Sequence, residues 1–284
     1  MDKVSYSSDG GLFNLPWIVA EREGFFREEN LDVELVHRDP AESRSDCFSR
    51  KKETDFATGR TQIYTVCQWG GIKRTAEAKG GRIAFRMPVD GRYTLVASPR
   101  SGISTLRELA SVPVAVSWDA GSHYAAVEAL EAVLPPGEVD VKHVGASLAR
   151  LEALLSEDVK AAVLIEPYTS IALKRDGHLL VHCRPDPGLV IAAESLDREL
   201  LQRFARASNR AVELINSAPE RYVDVLLEEV PEELREDDID LPRFTEMSAA
   251  LSQDEFEQTQ DWMLQRGMLT DPAEYRDVVL SSSR

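Results

Sequence analysis

The sequence predicts an α/β protein built from two lobes. Predicted strands alternate with predicted helices as far as Pro185, which is typical of open sheets with helices on both faces. The chain has 284 residues, of which 43% are hydrophobic. Such a chain is long enough for two compact lobes, each of which buries its own core.

The chain begins with a predicted strand, a helix and a second strand. Residues 4–7 form the first strand. In the helix that follows, Asn14 is a capping residue type, Pro16 suits the first turn, and Gly24 supplies a left-handed stop. Residues 31–36 alternate apolar and polar side chains, which predicts a strand.

The next stretch is predicted to add three strands and one helix. Residues 54–58 are assigned to a strand, and residues 63–69 to the beginning of a helix. Residues 82–86 and 93–97 are apolar and are predicted as strands, with a turn at residues 88–91 between them.

A second unit begins near Arg92. Thr105 and Glu108 have capping-box spacing before a short helix. A helix is expected to start at Gly121, because Tyr124, Val127, Leu130 and Leu134 share one face. The remaining predicted elements are strands at 112–117, 139–144 and 161–165 and a helix at 147–155. The short loops between these elements favour a parallel sheet.

After Gly188 the sequence predicts helices alone. One long amphipathic helix covers the apolar positions from Leu200 to Ile215, and a second covers residues 220–229. The acidic stretch 228–240 is interpreted as a solvated helix end and loop rather than a binding element. The last helix is predicted at residues 254–267.

The composition limits the possible partners. The formal net charge is -16 and the pI is about 4.8, which argues against a nucleic acid or an anionic membrane surface. An anionic ligand would therefore need a local binding patch. Cys47, Cys67 and Cys183 are odd in number and lack metal-ligand spacing, so reduced thiols and no metal are expected.

The sequence also carries an expectation about location. A basic segment followed by an apolar export segment is not apparent before Val4, and apolar runs stay well short of a membrane span. The chain as written is therefore predicted to be cytoplasmic. If an export signal has been removed, the expected location is periplasmic or membrane-anchored.

The segment from Leu12 to Leu35 resembles the opening of the bilobal solute-binding proteins for taurine, alkanesulfonates and nitrate, and of the related thiamine-pyrimidine synthases. Looser similarities follow in the same order at residues 55–62, at 166–168, and at 261–269. The order of these motifs is more specific than any one of them.

This resemblance implies a type II periplasmic-binding-protein-like fold, with a ligand cleft between two lobes and two hinge crossings. The crossings would lie near residues 90–93 and 184–189. Lobe one would contain residues 1–91 and 188–284, and lobe two residues 92–187. Because ligands bind beyond the carboxyl ends of the strands in such sheets, the loops there should supply the site.

Those loops supply the candidate residues. Arg60 is the expected partner of a carboxylate, sulfonate or phosphate, since its guanidinium is always charged. Gly121 and Ser122 open a helix whose N–H groups and dipole favour an anion, and His123 could add a hydrogen bond or transfer a proton. The predicted ligand-binding residues are Asn14, Trp17, Arg60, Thr61, Tyr64, Trp118, Gly121, Ser122, His123, Glu166 and Tyr168.

Two functions remain open from the sequence. The first is the substrate-binding component of an importer, which takes a small anion or heterocycle of the sulfonate, nitrate or pyrimidine type. Its partners would be the ligand and a membrane permease, without a cofactor or nucleic acid, and the protein would be a monomer or dimer. The alternative is an intracellular enzyme, namely a desulfinase, a pyrimidine synthase or a dehydratase-like lyase, with His123, Tyr64 or Glu166 in proton transfer.

The residues at the matching positions favour binding. The resemblance places Arg60 and Tyr64 where the synthases have a lysine that holds pyridoxal phosphate and a histidine. An arginine cannot form that Schiff base. The desulfinases have a nucleophilic cysteine in the loop after the first strand, where this chain has Leu12, Phe13 and Asn14.

Overall fold

The computed structural model describes residues 1–7, 11–36, 50–77, 81–89, 92–228, 230–236, 239 and 241–280. The strands in this part of the chain are β1 (Asp2–Ser7), β2 (Leu31–Leu35), β3 (Ile63–Val66), β4 (Gly81–Arg86), β5 (Thr94–Ala97), β6 (Val114–Val116), β7 (Val141–His143), β8 (Ala161–Leu164), β9 (His178–His182) and β10 (Leu189–Ala193).

The helices are α1 (Gly11–Arg22), α2 (Phe25–Glu28), α3 (Lys51–Ala57), α4 (Gln68–Glu77), α5 (Gly121–Glu131), α6 (Ser147–Leu155), α7 (Tyr168–Lys174), α8 (Arg198–Ser217), α9 (Val223–Leu227), α10 (Gln253–Gln265) and α11 (Tyr275–Val278). Short 3-10 turns occupy Leu106–Leu109, Pro136–Glu138, Pro219–Arg221 and Glu232–Leu234.

The described strands form two five-stranded sheets, one in each lobe. The strand order is β2-β1-β3-β10-β4 in lobe one and β7-β6-β8-β5-β9 in lobe two. The lobe-one strands fall within residues 1–91 and 188–284, and the lobe-two strands within 92–187. The lobe boundaries themselves stay a prediction. Asp90 and Gly91, which belong to the predicted first crossing and to the predicted turn at 88–91, lie outside the described residues. Cys47 also lies outside them.

Both sheets are mixed. The three strands for which parallel pairing was expected, β6, β7 and β8, do pair in parallel, and the antiparallel pairs involve other strands. In lobe one, β1 pairs in parallel with β2 and β3, whereas β10 is antiparallel to β3 and β4. In lobe two, β5 is antiparallel to β8 and β9. Each antiparallel strand is the first one after the chain has crossed from the other lobe, and it therefore enters the sheet from the opposite end.

Three secondary-structure predictions are wrong in the same region of lobe one. Residues 54–57 belong to helix α3, and Thr58 is its C-cap. The helix is stabilised by Lys51 and Asp55 at i and i+4, with 2.6 Å between Nζ and Oδ1. In the segment 63–69, predicted to begin a helix, Ile63–Val66 form strand β3, whose buried residues suit a central strand, and the helix α4 begins only at Gln68. Strand β10 is a wholly apolar run where helices alone were expected.

Several predicted elements are confirmed. The capping box of Thr105 and Glu108 is present, and α6 covers the predicted residues. The long amphipathic helix is α8, and the last predicted helix is α10, in which Phe256 and Met263 are fully buried. Gly24 has φ 80°, the left-handed conformation expected of it.

Helix α1 begins at Gly11, three residues before the predicted cap at Asn14. Asn14 therefore lies inside the first turns of the helix and does not cap it. Pro16 lies inside the same helix, where it cannot donate a backbone hydrogen bond to the preceding turn. Asn14 nevertheless lines the space between the lobes.

An aromatic cluster joins the sheet of lobe one to its helices. The rings of Tyr6 and Trp17 meet edge to face with centroids 4.7 Å apart, and Trp17 contacts Phe204 at 5.1 Å. Phe26 stacks on Phe204 at 5.0 Å. These contacts fasten α1, α2 and α8 to β1. Among the described residues no helix combines the length and the apolar character needed to cross a membrane.

Candidate ligand-binding site

A cavity of about 660 Å³ lies between the lobes at the carboxyl ends of their strands. Elements of both lobes and of the second crossing form its wall. The main lining residues of lobe one are Gly11, Leu12, Phe13, Asn14, Ile18, Leu35, Val36, Lys52, Cys67, Arg74, Val225, Leu226, Glu228, Val230, Glu232 and Arg235. Those of lobe two and the crossing are Tyr93, Ser117, Gly121, Ser122, Ser147, Leu148, Arg150, Glu166, Tyr168 and Asp186.

The loop between β6 and α5 forms one polar part of this wall. The N–H of Ser117 donates to Ser122 Oγ at 2.9 Å, which fixes the loop against the first turn of α5. Ser117 is 1% exposed, and its Oγ has no hydrogen-bond partner among the described residues. Ser117 and the first turn of α5 therefore line the same cavity.

Gly121 lets the backbone approach Tyr93 closely. A Cβ atom at this position would lie 1.9 Å from Tyr93 Oη. Tyr93 is at the first crossing, is 7% exposed and also lines the cavity. The absence of a side chain at Gly121 thus allows the first turn of α5 to pack against the hinge.

Arg150 organises the start of α6, which also faces the cavity. Its Nε donates to Val163 O at 2.7 Å, its Nη2 donates to Ser147 Oγ at 2.8 Å, and its Nη1 donates to Gly145 O. Arg150 is 3% exposed, so its positive charge is fixed beneath the cavity wall. Sequence reasoning missed Arg150 because an arginine inside an apolar helix face carries no motif.

Asn14 is the counterpart of Ser117 in lobe one. It is 4% exposed, and its Oδ1 has no partner within the described part of the chain. Asn14 and Ser117, each with a buried polar atom that has no partner among the described residues, therefore line one cavity from opposite lobes.

Charged groups that the sequence did not indicate form the floor of the cavity in lobe one. Lys52 is 3% exposed and its Nζ donates to Thr65 O, while Arg74 forms an ion pair with Glu53. Asp186, in the second crossing, accepts hydrogen bonds from Gln68 N at 2.9 Å and Gly188 N at 3.0 Å. These buried charges hold α3, α4 and the crossing together.

Cys67 lines the same floor. Burial, together with the nearby Asp186 carboxylate, raises the pKa of its thiol well above the usual range, despite the neighbouring cations. Its Sγ accepts a hydrogen bond from Gly70 N at 3.3 Å. A thiol in this environment stays protonated, which is unsuited to a nucleophile.

Described residues of the acidic stretch after α9 contribute to the cavity wall, while Glu228, Glu232, Glu233 and Arg235 are exposed, as expected of a solvated loop. That the stretch is not a binding element stays a prediction. Glu228, Val230, Pro231, Glu232 and Arg235 all line the cavity. Val230 is 2% exposed, and the Arg235 side chain folds back to donate to Val230 O at 2.9 Å. The buried Val230 side chain and the hydrogen bond to its carbonyl oxygen help to place this stretch at the cavity.

The structure brings several of the predicted site residues together. Asn14, Gly121, Ser122, Glu166 and Tyr168 all line the cavity. Glu166 Oε2 accepts a hydrogen bond from Ser170 N at 3.2 Å, which orients the carboxylate at the start of α7. Their role in ligand binding stays a prediction.

Other predicted residues lie away from the cavity wall. Trp17 is fully buried in the aromatic cluster, and Tyr64 is buried against Phe56, with ring centroids 4.9 Å apart. The Arg60 side chain is 58% exposed and lies 3.5 Å from Asp55. Arg60 and Thr61 were placed at a strand end, but they precede β3, so they lie at the end of the sheet that is remote from the cleft.

Trp118 and His123 also stand outside the lining of the cavity. Trp118 is 42% exposed, and its ring contacts that of His123 at a centroid distance of 4.6 Å. His123 Nδ1 accepts the N–H of Asp119 at 3.3 Å, and His143 Nδ1 accepts the N–H of Trp118 at 3.0 Å. Both imidazoles thus act as acceptors that hold the loop before α5.

His123 should make the folded protein sensitive to acid. Burial lowers the pKa of its imidazole below 6.5, with the Asp119 carboxylate opposing this shift and the Lys73 ammonium adding to it. A lowered pKa means that this contribution to stability is complete above pH 6.5 and is lost as the pH falls through the pKa of the folded state. We expect the melting temperature to fall from pH 7 to pH 5, and to fall less in His123→Gln. An equal fall in both proteins would contradict this assignment.

The formal charges of the described lining residues cancel. The cations are Lys52, Arg74, Arg150 and Arg235, and the anions are Glu166, Asp186, Glu228 and Glu232. No group of three or more His, Cys, Asp or Glu side chains in the described ranges is arranged to hold a metal ion.

Comparisons with known proteins agree on the fold. No family model matches the chain, and no curated protein matches it by sequence. The alkanesulfonate-binding protein SsuA of Xanthomonas axonopodis pv. citri, solved with MOPS bound, superposes with a TM-score of 0.77 at 13% identity, covering 99% of this chain and 98% of that one.

Two further structures are similar over nearly the whole chain. A ligand-binding component of an ABC-type import system of Staphylococcus aureus, solved with zinc bound, has a TM-score of 0.76 at 13% identity and covers 99% and 97% of the two chains. The desulfurization enzyme DszB has a TM-score of 0.64 at 15% identity and covers 99% and 97%. The fold is thus shared by solute-binding proteins and by an enzyme. The chain has the type II periplasmic-binding-protein fold that its sequence predicts.

Proposed function

We propose that the protein binds a small organic monoanion between its lobes, as the ligand-binding component of an importer. The observation that carries the proposal is a pair of residues, Ser117 and Asn14, that line one cavity from opposite lobes and whose Oγ and Oδ1 are buried without a partner among the described residues. Leaving a buried polar group without a partner costs about 1–3 kcal/mol. A bound ligand supplies the missing partners only when both lobes surround it, so binding would favour lobe closure.

Helix termini support a negative charge on this ligand. The first turns of α1, α5 and α6 all contribute to the cavity wall. Each helix N-terminus favours an anion by about 0.3–1 kcal/mol, and more where it is partly buried. Since the formal charges of the described lining residues cancel, a single negative charge fits the site better than a polyanion does.

The size and the apolar wall support an organic ligand. A cavity of about 660 Å³ has room for roughly twenty waters at ~30 Å³ each, so nitrate would fill only a small part of it. Lobe one contributes a largely apolar surface of Leu12, Phe13, Ile18, Leu35, Val36, Val225, Leu226 and Val230. Sulfonates are the first class to test, because a protein of the same fold is solved with the sulfonate MOPS. Interaction with a membrane permease and a location outside the cytoplasmic membrane are parts of this proposal.

The enzyme alternative has less support. Of the three groups assigned to proton transfer, all of which the structure describes, Glu166 lines the cavity whereas His123 and Tyr64 lie outside its wall. Burial raises the pKa of the Tyr64 hydroxyl, with the Glu53 carboxylate adding to the shift, and burial also raises that of the Cys67 thiol. Neither group is then a good base or nucleophile near neutral pH.

A thermal-shift series tests the proposed function. The probes are linear alkanesulfonates from methane- to octanesulfonate, with nitrate, alkylamines of the same lengths, and a thiamine pyrimidine as comparisons. We expect the sulfonates to raise the melting temperature, with affinity rising about fourfold per methylene at ~0.8 kcal/mol each until the cavity is full. Mass spectrometry should recover each sulfonate unchanged.

Three results would overturn the proposal. Stabilisation by amines but not by sulfonates would mean that the site prefers a cation to an anion. Consumption of a probe would favour catalysis. The absence of any stabilisation across the sulfonates would remove the anion assignment.

A further inference from the structure

The lobes meet outside the cavity at an apolar contact that we call the seam. It consists of Trp69, Tyr124, Met263 and Leu269, all of which are buried. Trp69 on α4 stacks on Tyr124 on α5, with centroids 5.5 Å apart and ring planes 19° from parallel. The seam therefore joins a helix of lobe one to a helix of lobe two.

Polar contacts border the seam. The carboxylate of Asp119 accepts hydrogen bonds from Lys73 Nζ at 2.9 Å, from Arg50 Nη2 at 3.1 Å and from Tyr124 Oη at 2.8 Å. A further ion pair joins Arg266 to Glu131, with 2.6 Å between Nη2 and Oε2. Opening the lobes here would expose two aromatic rings and separate several ions at once.

A different contact joins the lobes through residues 230–236, which we call the strap. The strap follows α9 of lobe one and lines the cavity through Val230, Pro231, Glu232 and Arg235. It is joined to lobe two by Arg175 at the end of α7. Arg175 Nε donates to Glu236 Oε1 at 3.0 Å, and Arg175 Nη2 donates to Glu233 O at 3.1 Å.

The two contacts differ greatly in strength. The Arg175 side chain is 41% exposed, and ion pairs in such positions contribute little to stability. Burial of large aromatic side chains, by contrast, dominates interface energetics. The ion pair at the strap is therefore the weaker of these two contacts between the lobes.

We propose that the strap is the gate of the ligand cavity, that Arg175 holds it closed, and that the seam is the pivot about which the lobes open. The proposal rests on the proposed function only in that the cavity takes a ligand. Its structural part concerns the ligand-free protein and is tested without one.

Hydrogen exchange of the ligand-free protein tests the gate. In Arg175→Met we expect the amides of the strap, including those of Leu234 and Arg235, to exchange about two- to fivefold faster, which corresponds to the loss of a weak ion pair. Peptides that contain Trp69 and Tyr124 should keep the wild-type rate. Arg100→Met is the matched control, because Arg100 pairs with Glu157 within lobe two and is 80% exposed.

Three outcomes decide the proposal. Faster exchange confined to the strap in Arg175→Met, with no change in Arg100→Met, supports it. If the strap amides of Arg175→Met exchange at the wild-type rate, Arg175 does not hold the strap closed. If amides of the seam exchange faster by the same factor as those of the strap, the seam is not the pivot. Glu236→Gln removes the same ion pair from the lobe-one side, and it keeps the test decisive if Arg175→Met does not fold.

Ligand kinetics form a second arm, with butanesulfonate as the probe in stopped-flow measurements. Arg175→Met should raise the association and dissociation rate constants together, by about two- to fivefold, and leave Kd nearly unchanged. A change in dissociation alone would mean that Arg175 acts on the bound state and not as a gate. If the wild-type protein binds no sulfonate, the proposed function fails, and the exchange data alone then decide the gate.

Discussion

Replacement of Gly121 by alanine is expected to weaken ligand binding by at least about tenfold and to destabilise the protein by about 1–3 kcal/mol, the usual range for overpacking. The new Cβ would lie 1.9 Å from Tyr93 Oη and 2.3 Å from Tyr93 Cζ. These distances exclude the present position of the ring. Tyr93 lines the cavity, so we expect the displaced ring to take space that the ligand needs.

Calorimetric titration with a sulfonate and chemical denaturation measure the two effects of Gly121→Ala. Gly137→Ala is the matched control, because a Cβ there meets no atom within 4 Å. The control should keep the wild-type affinity and stability. Equal affinity in Gly121→Ala and wild type would show that the first turn of α5 does not form part of the ligand site.

Ser117→Ala is expected to have opposite effects on stability and binding. The Ser117 hydroxyl is buried without a partner among the described residues, so its removal should raise the ligand-free stability by up to about 1 kcal/mol. The ligand would lose a hydrogen bond to a charged group, worth about 1.5–3 kcal/mol, and Kd should rise at least tenfold. Such opposite signs distinguish a binding residue from a structural one.

Thr61→Val provides the control for this contrast. Thr61 Oγ1 is also buried without a partner in the described chain, but it lies outside the cavity wall. The substitution should raise stability without changing affinity. If Ser117→Ala weakens folding and leaves Kd unchanged, the hydroxyl has a structural role and the ligand lies elsewhere.

Much of the fold could be predicted because it depends on the order of local signals. The strand, helix and turn pattern from Val4 to Gly24 and the capping box at Thr105 act within a few residues, where propensity and capping decide the structure. Strand β10 could not be identified in this way. Its five residues suit a buried helix segment equally well, and only their insertion between β3 and β4 selects the strand.

The candidate site was only partly predictable, because some of its residues are placed by local signals and others by contacts between distant segments. The sequence predicts that a helix starts at Gly121 and Ser122, directly after a strand. Because ligands bind beyond the carboxyl ends of strands in this kind of sheet, the fold places both residues at the cavity. Arg60 was placed at the cavity on the assumption that residues 54–58 form a strand. Because that segment is helix α3, Arg60 comes before the next strand rather than after one.

Arg150 and residues 230–235 show what sequence patterns leave out. Arg150 is held at the cavity by a hydrogen bond to Val163 O, in a different element of the chain. Residues 230–235 are held there by a hydrogen bond from Arg235 to Val230 O within an irregular segment. Spacing rules describe neither kind of contact.

A crystal structure with bound hexanesulfonate would locate the ligand and show its orientation. We expect the sulfonate oxygens within hydrogen-bond distance of Ser117 Oγ and of the first N–H groups of α5, with the alkyl chain against Phe13, Ile18 and Val225. A ligand in the reverse orientation, or one bound outside the space between the lobes, would contradict this expectation.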